Sequence, residues 1–130
     1  MKKVVITEEV EEYLNSLDVE GAYPFSDEVA KELGLDSIPE MLVTSTEQGG
    51  KAHINRGFYT VPRWAFGLGE AYAKAYIIHE LCHFRVSGHA QDFKSLETKT
   101  LAKWGMIPDY SRKKDYISRL LDTAGNVLYE

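Results

Sequence analysis

With one cysteine, Cys82, in 130 residues, this chain cannot form an intramolecular disulfide, and cystine-stapled secreted scaffolds are excluded. Nor does any run approach the roughly 18 consecutive apolar residues of a membrane-crossing helix. The opening stretch MKKVVITEEVEEYL has no apolar segment of the signal-peptide kind. These absences set the expectation of a reducing, cytoplasmic location. Internal repeats, low-complexity tracts and linkers are missing too, so residues 1 to 130 read as one domain. A chain of this length buries about two thirds of its unfolded surface, and its core needs no structural metal.

The net charge of −5 is unevenly distributed along the chain. Residues 1 to 50 carry three basic and twelve acidic side chains, and residues 51 to 130 carry twelve basic and eight acidic. Two readings stand: a solvated acidic helical face, or a basic surface of Lys94, Lys99, Lys103, Arg112, Lys113, Lys114 and Arg119 facing an anionic partner. Under the second, weak DNA contact through the basic C-terminal half is expected.

Hydrophobic periodicity orders the chain. Thr7, Glu8 and Glu9 open a helix over about 7 to 17, with Val10, Tyr13, Leu14 and Leu17 at helical spacing. Ser26 reads as the N-cap of a second helix, Asp27 to Leu33, ended by Gly34. β-Rich segments follow at 41 to 46, 52 to 55 and 58 to 61, which predict a small antiparallel sheet. Pro62 lacks an amide donor and should end the last strand or hold an edge, where a peptide substrate would pair by strand addition. Residues 70 to 87 contain no proline or glycine and read as a buried central helix; 90 to 104 form another, closed by Gly105 and Pro108. The tail from 116 to 129 reads as a C-terminal hairpin. The fold class is α+β.

Within the central helix lies His79-Glu80-Leu81-Cys82-His83, followed by Gly88-His89. Chance placement of this composition gives about 0.01 occurrences of H-E-x-x-H, so the motif is informative. Two histidines four apart share one helix face, with Cβ atoms roughly 5–6 Å apart. Both then reach a single ion at about 2.0–2.1 Å. Gly88 suits a helix end, from which the chain swings His89 back over the same ion. Glu80, one residue on from His79, is turned off the metal and toward an attacking water, the place of a general base. The expected cofactor is one catalytic Zn²⁺ held by His79, His83 and His89, and the expected activity is hydrolysis of a protein or peptide substrate. Tyr110 and Arg112 are candidate oxyanion donors. Tyr72 and Tyr76 continue the metal face as a stripe whose first reading is packing. His53 reads as an exposed strand histidine, and Cys82 as a small buried filler.

The stretch HELCH, five residues, His89, three residues, Phe93 resembles the signature of the SprT-like, WLM and YgjP-like group of small zinc metallopeptidases. The likeness runs on through HAQDFKSLETKTLAKWGM, with Ala90 where that group commonly has glycine, and covers about residues 70 to 107. It implies a zincin fold, zinc on His79, His83 and His89, catalysis by Glu80, and Phe93 packed behind the site. Some members of the group cleave protein crosslinked to DNA, a preference that commonly comes from added modules. The metzincin pattern has the same ligand spacing, but its glycine position is Val86 here.

Two other classes compete. A metal-dependent endoribonuclease of rRNA maturation resembles the chain through its His-x3-His-x5-His array, but that family does not use the H-E-x-x-H glutamate. A non-catalytic, zinc-braced module would show a closed fourth ligand, Cys82 or Glu97, and Glu97 is also an alternative third ligand in place of His89.

Overall fold

A computed structural model describes residues 8, 12, 16–44, 50–67 and 69–106. Within them a three-stranded mixed sheet packs against helices in an α+β arrangement. Helix α1 (Ala22–Glu32) leads into β1 (Glu40–Thr44). After β2 (Lys51–His53), a 3-10 turn (Ile54–Arg56) returns the chain as β3 (Phe58–Pro62). The short α2 (Arg63–Gly67), the central α3 (Glu70–Cys82) and α4 (Gln91–Ala102) complete the described elements.

Helix α1 begins a full turn before the expected Ser26 cap. Pro24 falls in its first turn, where the missing amide costs nothing. Ser26 lies inside the helix, and its hydroxyl shares a 2.5 Å hydrogen bond with the Tyr59 hydroxyl on β3. A serine that reads as a cap is instead a buried tie between helix and sheet. Gly34, at φ +69°, ends α1 as expected. The carbonyl of Leu33, the buried C-cap of the helix, accepts from the Arg85 guanidinium at 3.0 Å.

The sheet corrects the antiparallel expectation. Its order is β1-β3-β2, with β1 parallel to β3 from Glu40↔Phe58 to Thr44↔Pro62 and β2 antiparallel to it. Pattern and turn residues identify strands but not their neighbours, and here the second strand crosses to the far side of the third. Pro62 does end β3. β3 is the central strand, paired with β1 along its whole length and with β2 from Phe58 to Thr60, and it is buried from Tyr59 to Pro62.

One core unites these layers. Phe25, Val29 and Ala30 of α1, Met41, Tyr59 and Val61 of the sheet, Ile77, Ile78 and Leu81 of α3, and Phe93 and Leu101 of α4 form a single buried cluster. Each large apolar side chain contributes about 1.5–3 kcal/mol by leaving water. No helix among the described residues is long and apolar enough to cross a membrane. Glu8 and Glu12 are helical, but most of the 7-to-17 helix, Pro108, the 116-to-129 hairpin, Tyr110 and the basic residues from Arg112 onward lie outside the described residues.

Candidate metal centre

Helix α3 is shorter than its pattern predicts, ending at Cys82 rather than near 87. His83 keeps right-handed helical dihedrals as the C-cap, and Phe84 and Arg85 donate to carbonyls three residues back. This tightening to 3-10 bonds satisfies carbonyls that a helix end would orphan. The chain then turns through Gly88, at φ +75°, a left-handed conformation that glycine adopts without a Cβ penalty. Gly88 thus serves the return turn rather than the helix cap, and His89 comes back beside the helix as expected.

The three ring nitrogens meet. His89 Nε2 lies 3.2 Å from His83 Nε2 and 3.3 Å from His79 Nε2. His79 Nδ1 donates to the Glu97 carboxylate at 2.6 Å, and His83 Nδ1 donates to the Val86 carbonyl at 3.3 Å. Both partners are acceptors, so they place the proton on Nδ1 and leave a lone pair on Nε2. His89 Nε2 faces both of these lone pairs, and with its own proton on Nδ1 the three nitrogens would present lone pairs to a single cation. Four nitrogens held tetrahedrally at 2.0–2.1 Å from zinc stand about 3.3–3.4 Å apart, so the measured separations fit a divalent ion. The three histidines are grouped so that they can hold a metal ion.

Phe93 forms the floor of this group. It is fully buried, stacks on His83 at 4.3 Å and 16°, and meets His79 and His89 edge-on at 5.0 and 5.3 Å. The three rings are fixed by one aromatic side chain that brings no polar competitor. Burial, followed by the neighbouring His79, lowers the His83 pKa, while the Val86 bond partly offsets both. A depressed pKa keeps the imidazole neutral, the form that binds metal.

Glu80 is 5% exposed and directly follows His79 on α3, and among the described residues the grouped ligand atoms all come from histidine. Neither Cys82 nor Glu97 joins them. Cys82 is fully buried, burial pushes its thiol up to about 12, and its sulfur lies outside the grouped ligand atoms. Glu97, 4% exposed, sits behind His79 and not opposite it. Its role as a partner of His79 was missed from the sequence, although one signal was present: Phe93 and Glu97 are four apart and share a face of α4.

The tyrosine stripe is packing. Tyr72 and Tyr76 pack on each other at 6.0 Å and on Trp64 at 6.4 and 6.2 Å. The Tyr76 hydroxyl accepts the amide of Gly50. A Cβ on Gly50 would come within 2.3 Å of the Thr60 carbonyl oxygen and 2.6 Å of the Tyr76 ring, so only glycine admits this approach. His53 is half-buried, not exposed, and stacks on Phe58 away from the group.

Comparison with protein-family models, curated proteins and solved structures gave no match.

Proposed function

We propose that this chain is a zinc-dependent metallopeptidase with a zincin-like fold, and that His79, His83 and His89 hold one zinc ion. The observation that carries this reading is the convergence of three histidine Nε2 atoms, with the buried Glu80 next to His79 on the same helix. When bound, zinc supplies Lewis-acid polarisation of the scissile carbonyl and activation of water. Glu80 accepts a proton from the attacking water and returns it to the nitrogen of the leaving amine as the C–N bond breaks. The glutamate needs to hold a proton only between these two events. Tyr110 is the proposed oxyanion donor, and Arg112 the second candidate. The substrate is a protein or peptide, and DNA-associated proteins are one class consistent with the exposed Lys94, Lys99 and Lys103.

The test is casein cleavage, with and without DNA, alongside metal content by mass spectrometry. One zinc per chain is expected, with cleavage lost in Glu80→Gln while zinc is retained, and slowed in Tyr110→Phe combined with Arg112→Ala. Unchanged turnover in that double variant removes the oxyanion assignment. Zinc binding with no casein cleavage, but with cleavage of structured RNA unaffected by Glu80→Gln, would replace the peptidase by the endoribonuclease reading.

A further inference from the structure

The second buried carboxylate beside the metal group has a different task from Glu80. Glu97 projects from α4, eighteen residues along the chain from His79, and its Oε2 receives the Nδ1 proton at 2.6 Å. It is 4% exposed, in a region that also buries Phe93, Thr100 and Leu101 on the same helix. A carboxylate is costly to bury unless its charge is met by strong hydrogen bonds or an opposite charge. Core packing alone is served better by an apolar side chain, as Phe93 and Leu101 show on the same face. What Glu97 gains there is a charge-assisted bond to one nitrogen of a ring whose other nitrogen faces the metal group.

We propose that Glu97 is a positioning residue for the metal centre, acting through His79, so that docking of α4 and metal affinity are a single property of the fold. The bond fixes the His79 tautomer and ring plane, and the carboxylate charge makes the opposite nitrogen a stronger donor. It also places one negative charge against a set of ligands that are otherwise all neutral. α4 contributes both the aromatic floor, Phe93, and the orienting charge, while the ligands precede it in the chain. The inference rests on the metal-binding reading of the three histidines.

The experiment measures zinc affinity by competition with a chromophoric chelator, and records the visible spectrum of the cobalt-loaded protein, for wild type, Glu97→Gln and Glu97→Ala. Each metal-free variant is first shown folded by far-ultraviolet circular dichroism and thermal unfolding. Glu97→Gln keeps the shape and an acceptor oxygen, whereas Glu97→Ala removes both. Affinity is expected to fall about 10–100-fold in Glu97→Ala, and by a smaller factor in Glu97→Gln, with a shifted cobalt spectrum in both. Folded variants with wild-type affinity and spectrum would overturn the proposal and leave Glu97 a structural residue. If Glu97→Ala does not fold, Glu97→Gln alone decides by the same two readouts. Failure of the wild type to bind zinc or cobalt would instead overturn the metal reading beneath it.

Discussion

The four histidines divide between two regions that treat the same side chain differently. Between α3 and α4, His79 and His83 have their Nδ1 protons committed to a carboxylate and a carbonyl, and their Nε2 atoms turn to His89. On β2, His53 lies flat on Phe58, 4.4 Å between ring centres, with the Arg56 guanidinium 5.7 Å from the same Phe58 ring. Both regions pair histidine with phenylalanine. Among the described residues the first supplies acceptors that orient the imidazole and other imidazoles to face it, and this orientation suits a histidine to hold a metal.

The contrast breaks most sharply on metal content. His79→Ala is expected to abolish stoichiometric zinc uptake, whereas His53→Ala should leave one zinc per chain; elemental analysis after gel filtration gives the answer. Equal loss in both would mean that the two regions are not distinct.

The two phenylalanines extend the test to stability. Phe93 is fully buried beneath three rings, and Phe58 is half-buried beside one. In urea unfolding of the metal-free protein, Phe93→Ala should cost about 3–5 kcal/mol, and Phe58→Ala distinctly less. A larger loss for Phe58→Ala would move the centre of the core to the sheet end.

A smaller effect separates the regions by pH. His83 has its folded-state pKa lowered, chiefly by burial and then by His79. Between the folded and unfolded values the unfolded chain binds more protons, so stability falls as pH falls. For the metal-free protein the contribution is intact above about pH 6.5, the ordinary histidine value, and is lost as pH drops through the folded-state pKa. Thermal unfolding across this range should show the slope in wild type and in His53→Asn, and a shallower one in His83→Asn. An unchanged slope in His83→Asn would place the acid sensitivity elsewhere.

The ligand spacing was legible because helix periodicity is local: four residues put two rings on one face, and one glycine before His89 signals the return turn. The central helix and the α+β class were readable for the same reason. Partnership across the chain was not. The antiparallel expectation failed because strand patterns carry no information on which neighbour a strand takes. Ser26 looked like a cap because nothing near it in sequence reveals Tyr59, 33 residues away. The end of α3 was misplaced because residues 83 to 87 keep a helical composition while the amides of 83 to 85 shorten to 3-10 bonds. Glu97 was visible as a candidate ligand, and only three-dimensional contact shows that it grips the back of His79.

The return turn at Gly88 has a thermodynamic corollary. It gathers the three imidazoles from residues 79 to 89, a loop so short that closing it around an ion costs little chain entropy. On the proposed zinc reading, the denatured chain would keep affinity of its own for the ion, and added zinc would raise the unfolding temperature by less than native-state affinity alone dictates. A centre assembled from one short segment would have correspondingly weak leverage over the rest of the fold.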